Sequence, residues 1–206
     1  MEFYIIRHGV TEWNRLKKFQ GSTDIPLAED GIRLAQLTGE ALKDISFDLC
    51  FSSPLCRARQ TAELVLGERM ASVPIIEDAR IREIDCGVLE GVRFKDEQGR
   101  ILSKEMALFF ENPKHYPRPE NGESFQDVCD RTREFWLEKT GDPNLQGKRI
   151  LIASHGCAVR ALLQNVYEDT SDFWHGCVPP NCAVNVVRFL NGKAYLAEED
   201  RVYAEL

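Results

Sequence analysis

Tyr4-Ile5-Ile6-Arg7-His8-Gly9 is an apolar run, rich in isoleucine, that stops at an arginine, a histidine and a glycine. That composition predicts a strand over residues 2–6 ending in a tight turn, with two polar side chains delivered at its C-terminal edge. Open α/β sheets place their sites at that edge. The same grammar returns in Arg149-Ile150-Leu151-Ile152-Ala153-Ser154-His155-Gly156. Two strand-edge histidines, each followed by glycine, predict a site assembled from both ends of the chain.

Working outward, Asn14 to Leu27 reads as a loop. Glu29 to Lys43 carries Ile32, Leu34, Ala35, Leu37, Ala41 and Leu42 near helical spacing and predicts an amphipathic helix. Phe47 to Phe51 is a short strand. Ser52-Ser53-Pro54 is a turn and helix start, and the helix continues from Arg57 to Leu66. Val73 to Ile76 is a short extended piece. Arg93 to Asn112 has a helical pattern and Pro113 to Glu120 is proline-rich. Together they predict a helical cover inserted at about 92–123 into one domain spanning 1–206. Ser124 to Lys139 is helical, with Ser124 and Asp127 in a capping pattern. Ile150 to Ser154 is a buried strand and Cys157 to Tyr167 a helix. Ala183 to Phe189 and Lys193 to Ala197 flank Asn191-Gly192, a strong hairpin signal. Strands alternating with helices predict a three-layer α/β/α fold with a mostly parallel sheet and an antiparallel edge.

At 206 residues and 43% hydrophobic content, one substantial core can be buried. No apolar stretch is long enough to span a bilayer, and no signal peptide is visible. The net charge of -7 argues against nucleic acid as a partner. A cluster of arginines can still set the field of one cleft for a small anion. The seven cysteines are scattered and contain no Cys-x-x-Cys, so neither a metal site nor a disulfide framework is expected. Reduced thiols and a cytoplasmic location follow as expectations. The edge hairpin near Asn191-Gly192 leaves a homodimer open.

Several residues can carry chemistry. Arg7 beside His8 repels cations and suits an anion. Arg57 and Arg59 lie at a helix start, where unpaired amides also favour anions. Glu83 lies in a loop of carboxylates, and His155-Gly156 opens a late helix. Taken singly, each reads equally as an ordinary packed or solvated side chain; Phe109, Phe110 and Trp136 read as core. In combination they are specific. Arg7-His8-Gly9-Val10-Thr11-Glu12-Trp13-Asn14, Gln20-Gly21-Ser22-Thr23-Asp24-Ile25-Pro26-Leu27, Ser52-Ser53-Pro54-Leu55-Cys56-Arg57-Ala58, Arg82-Glu83-Ile84-Asp85-Cys86-Gly87-Val88-Leu89-Glu90-Gly91, Asn121-Gly122-Glu123-Ser124 and Ser154-His155-Gly156 resemble the histidine phosphatase superfamily, phosphoglycerate mutase-like branch. The blocks follow the family's order across most of the chain.

The resemblance implies that His8 is the nucleophile that takes a phosphoryl group. Its other ring nitrogen would carry the proton, donated to a nearby backbone carbonyl. Arg7, Arg57 and a protonated His155 would surround the non-bridging oxygens. Glu83 would protonate the leaving oxygen and then deprotonate water. Asn14, Gln20 and Gly21 match positions that line the phosphate pocket, and the Gly156 backbone amide and Cys157 are further substrate-binding candidates. No metal and no cofactor are implied, and the partner is a small phosphorylated metabolite.

The sugar-acid mutases of the family have a longer insertion after the acid, an arginine pair, and asparagine just after the second His-Gly. Here the insertion is short, no such pair is present, that position is Cys157, and the chain ends soon after the hairpin. A phosphomonoester hydrolase is therefore expected. A phosphoglycerate mutase is the alternative enzyme, and a catalytically weak phosphate- or phosphoprotein-binding module the alternative of another class. The cover holds Arg93, Lys95, Arg100, Lys104, Lys114 and Arg118, which keeps an anionic leaving group open.

Overall fold

The computed structural model describes residues 1–204. Strands β1 (Glu2–Arg7), β2 (Leu49–Ser52), β3 (Ile75–Glu77), β4 (Arg149–Ser154), β5 (Val184–Leu190) and β6 (Lys193–Arg201) form one sheet in the order β3-β2-β4-β1-β5-β6. The first four pair in parallel, whereas β5 joins β1 and β6 joins β5 in antiparallel register. The helices are α1 (Glu12–Arg15), α2 (Glu29–Ala41), α3 (Cys56–Leu66), α4 (Lys104–Glu111), α5 (Phe125–Gly141) and α6 (Gly156–Leu163).

Successive residues of a strand face opposite sides, and both sides of β1 are buried. Tyr4 and Ile6 pack with Leu34, Ala35, Ala62 and Val65 of α2 and α3. Phe3 and Ile5 pack with Phe135, Trp136, Val159 and Leu162 of α5 and α6. Burial on both faces is why β1 and β4 read as continuous apolar runs rather than as alternating ones. A third cluster joins Phe109 and Tyr116 of the cover to Phe19, Phe125, Phe173 and Trp174.

Local chemistry sets the boundaries. Asn191 and Gly192 both take positive φ, as a two-residue hairpin turn requires. Ser124 and Asp127 cap each other at the start of α5. The expected loop at 14–27 is preceded by α1, because Thr11 and Asn14 form a reciprocal capping box. The expected helix over 93–112 is a helix only from Lys104. Asp96 accepts from the Arg100 amide, Gly99 sits at φ 80°, and Lys95 bridges Ile101, so residues 93–102 form an extended finger lying on Lys17 and Lys18. An Asp and a Gly at turn spacing outweigh helical periodicity there. The expected helix over 157–167 ends at Leu163 and closes with tight turns.

Candidate active site

Because β1 and β4 are parallel neighbours with Arg7 opposite Ser154, the residues that follow them emerge side by side. The His8 amide donates to the Ser154 carbonyl (2.9 Å), and the His8 and His155 rings lie 5.2 Å apart. β2 lies on the other side of β4 and is followed by Ser53, whose hydroxyl is 2.7 Å from His155 Nε2. Three adjacent parallel strands thus deliver their C-terminal residues to one edge, where a cavity of about 510 Å³ opens.

Arg7, His8, Asn14, Gln20, Glu83, Gly156 and Cys157 line that cavity. His8 is 3% exposed, and its Nδ1 lies 2.7 Å from the Gly9 carbonyl oxygen. A carbonyl only accepts, so Nδ1 carries the proton and Nε2 has its lone pair free. Burial, Arg57 and Arg7 hold the ring's pKa well below the ordinary histidine value. Asn181, which the sequence does not single out, donates to the His8 and Gly9 carbonyls at 2.9 and 3.2 Å and fixes this turn. Two buried donors, Arg7 Nε and Gln20 Nε2, have no protein partner. Such orphans are costly unless a ligand or water meets them, and two beside one open imidazole mark an anion position.

Glu83 Oε1 accepts from the amides of Ile84, Cys157 and Ala158 at 2.9, 3.1 and 3.1 Å. Oε2 shares the Cys157 amide at 3.1 Å, so Oε2 is the oxygen with spare capacity. Its loop is clamped by Arg131 on α5, which donates to the carbonyls of Arg80, Arg82 and Glu83 and pairs with Glu123. Glu123 lies in a block the sequence marks; Arg131 carries no local signal, since only folding brings it to this loop.

Three expected residues sit in surroundings that differ from those expected. His155 is fully buried, and Arg57 Nε donates to its Nδ1 at 3.2 Å. A guanidinium cannot accept, so Nδ1 holds a lone pair, Nε2 donates to Ser53 and the ring is neutral rather than protonated. Burial and then Arg57 push its pKa well below the ordinary value. Arg57 itself is fully buried behind the cavity wall; its other nitrogens donate to the carbonyls of Thr23 and Gly21. Gly21 does not line the cavity. An added Cβ there would lie 2.2 Å from the Ile84 carbonyl oxygen and 2.7 Å from the Cys86 amide nitrogen. It is a close-approach glycine whose own amide, with those of Ser22, Thr23 and Cys86, holds the Glu90 carboxylate. Gly21→Ala is expected to lower stability by about 3 kcal/mol, because backbone must move on both sides. An unchanged urea midpoint would contradict this packing. The Cys157 thiol, 1% exposed, is pushed far up by burial and is inert as a nucleophile; its amide is the group that matters.

Neutral burial of two histidines has a consequence for stability. Below about pH 6.5 the unfolded chain binds protons that the folded rings refuse, so stability falls as pH falls. The contribution is complete above about pH 6.5 and is lost towards the depressed folded-state values, with a slope of at most about 2.7 kcal/mol per pH unit for the pair. Urea midpoints measured between about pH 7 and pH 5.5 should drop steadily; a flat profile contradicts neutral burial.

The chain matches the Histidine phosphatase superfamily (branch 1) over residues 3–199. It belongs to that superfamily. Among histidine phosphatase relatives, it is 37% identical over 164 residues to the uncharacterized phosphatase PhoE of Bacillus subtilis, covering 79% of this chain and 75% of that one. It is 36% identical over 162 residues to a 2,3-bisphosphoglycerate-dependent phosphoglycerate mutase of a Methylobacterium, covering 77% of each. Its fold superposes on that of Bacillus stearothermophilus YhfR with a TM-score of 0.83 at 30% identity, over 98% and 97% of the two chains. The α/β fold is thus that of the phosphoglycerate mutase-like branch. Among the described residues no group of three or more His, Cys, Asp or Glu is placed to hold a metal ion, and no helix is long and apolar enough to cross a membrane.

Proposed function

We propose that this histidine phosphatase superfamily member hydrolyses small phosphomonoesters through a phosphohistidine on His8. One observation carries the reading: a buried neutral imidazole with an open Nε2, oriented by Gly9, faces two unpaired donors and a carboxylate in one cavity. A dianionic phosphate repels charged nucleophiles, and an uncharged ring avoids most of that repulsion. Nε2 attacks phosphorus in line with the ester oxygen. The P–O bond breaks as the P–N bond forms, and Glu83 gives its proton to the departing oxygen. Arg7 Nε and Gln20 Nε2 meet the non-bridging oxygens. Arg57 supplies positive potential from behind, through the neutral ring of His155. In the second half Glu83 takes a proton from water, water attacks phosphorus, and the P–N bond breaks to release inorganic phosphate. Asn14 and the Gly156 backbone border the phosphate; a Cβ on Gly156 would lie 3.5 Å from Glu83 Oε2 and 3.6 Å from Arg7 Nε, in the space the ester needs.

Hydrolysis rather than isomerisation is favoured by the cavity wall. Apart from Arg7 it contains no arginine, and so no pair to hold a sugar-acid carboxylate while the intermediate waits. The test is incubation with p-nitrophenyl phosphate and, separately, with phosphoglycerate. Free phosphate from both, with no isomer, is expected. Isomer in place of phosphate selects mutase, and phosphate binding without turnover selects the binding module.

A further inference from the structure

The cavity is larger than a phosphoryl group needs and falls in the range of sites that enclose whole organic ligands. Its lining divides in two. The polar groups are His8, Arg7, Asn14, Gln20, Glu83 and Asn181, and Asn181 ties the His8 carbonyl to Asn14. Much of the remaining wall is apolar, with an aromatic stretch flanked by Ile84, Ile101 and Val178. Phe94 lies 5.1 Å from Phe19 and 5.1 Å from Phe110, and Phe19 and Phe110 are stacked at 6.4 Å. Phe110 is stacked in turn on Trp174 at 6.5 Å. The Trp174 indole N–H is consumed by the Phe109 carbonyl (2.7 Å), so Trp174 offers the cavity an apolar ring. Phe110 is therefore only half-buried core; the rest of it is cavity wall.

Of the six basic residues of the cover, only Lys95 reaches the cavity; Arg100 and Arg118 are paired with Asp96 and Asp127. Two further lysines join it from the segment on which the finger lies, Lys17 at φ 52° and Lys18, which lies over Trp13 at 5.6 Å. None of the three forms an ion pair among the described residues. Three unpaired ammonium groups at one mouth of a chain with net charge -7 form a local reversal of field. The side chains of this outer wall include no carboxylate, amide or hydroxyl to satisfy a polyol, and stripping water from hydroxyls without replacing their hydrogen bonds costs affinity.

Resting on the hydrolase reading above, we propose that the preferred substrate is a phosphomonoester whose leaving alcohol has a flat apolar body and a second anionic group at its far end. The body lies against Phe19, Phe94 and Phe110, and the distal anion meets Lys17, Lys18 and Lys95 at the mouth. Small sugar-acid and polyol phosphates are poor substrates on this account, because they fill neither part.

The experiment compares kcat/KM for ethyl phosphate, phenethyl phosphate, para-carboxyphenethyl phosphate and phosphoglycerate. All four leave as alkoxides of aliphatic alcohols, so differences report the wall more than leaving-group basicity. Phenethyl is expected to exceed ethyl phosphate by about tenfold or more, from burial of one ring. The carboxylate should add about three- to tenfold, an increment that shrinks at high salt. Lys95→Gln should shrink the carboxylate increment, and Phe110→Ala the phenyl increment, each read as a ratio within one variant so that a general loss of activity cancels. Equal turnover of ethyl, phenethyl and phosphoglycerate esters, or a carboxylate that slows the reaction, overturns the inference while leaving the hydrolase reading intact. No phosphate from any ester and no label on His8 overturns both.

Discussion

His8→Ala is expected to reduce phosphate release by about ten-thousandfold or more, since the covalent route is lost with its nucleophile. Stability should not fall in step. The wild-type ring is buried at 3% exposure in neutral form, and the substitution removes one of the two groups that weaken the fold at mildly acidic pH. Phosphate release from a labelled ester, with acid-stable and base-stable adducts counted separately, gives the decisive readout. Phosphohistidine is labile in acid and survives base, whereas an acyl phosphate is cleaved by base. Label on a carboxyl group, or turnover that persists in H8A, would falsify the imidazole route. Cys157 cannot substitute, because its thiol is buried and held protonated.

Glu83→Gln is expected to lower kcat by about a hundred- to ten-thousandfold, with a dependence on the leaving group that a structural defect does not mimic. An alkoxide needs a proton as it departs, whereas p-nitrophenolate leaves without one. The loss should therefore be largest for alkyl esters and smallest for p-nitrophenyl phosphate. With p-nitrophenyl phosphate, a burst of phenolate followed by slow turnover is expected, because the variant also lacks the base for hydrolysis of the intermediate. The amides of Ile84, Cys157 and Ala158 that hold Glu83 also suit the glutamine carbonyl oxygen, so the loop should keep its shape. Equal losses for all leaving groups would reassign Glu83 to a positioning role, alongside Arg131.

Local order was well encoded along the chain wherever side-chain period and backbone preference agreed. β1, β4, α2, α3, α5 and the Asn191-Gly192 hairpin lie where apolar spacing, capping residues and turn formers put them. The finger at 93–102 was not legible as such. Its apolar spacing suits a helix, and its extended course is decided by backbone pairing with Lys17 and Lys18 that no local window contains. The site divides in the same way. His8, Glu83 and the cavity-lining Asn14, Gln20 and Gly156 stand in blocks of recognisable type. Asn181 and Arg131 work through backbone groups far away in sequence, and backbone carbonyls and amides are the same whatever residue bears them.

The amino-acid order alone determined that two His-Gly turns would follow apolar strands, because strand-forming and turn-forming preferences act between near neighbours. Only the tertiary structure decided how those turns are charged and what lies around them. Parallel pairing of β2 with β4 puts His155 beside Arg57 out of reach of solvent, and that desolvation together with the guanidinium makes the ring neutral against expectation. The same packing hides Gly21 and Arg57 behind the cavity and turns Lys17, Lys18 and Lys95 towards it. Burial and the sign of a neighbour's charge are properties of three-dimensional proximity, and no spacing along the chain states them.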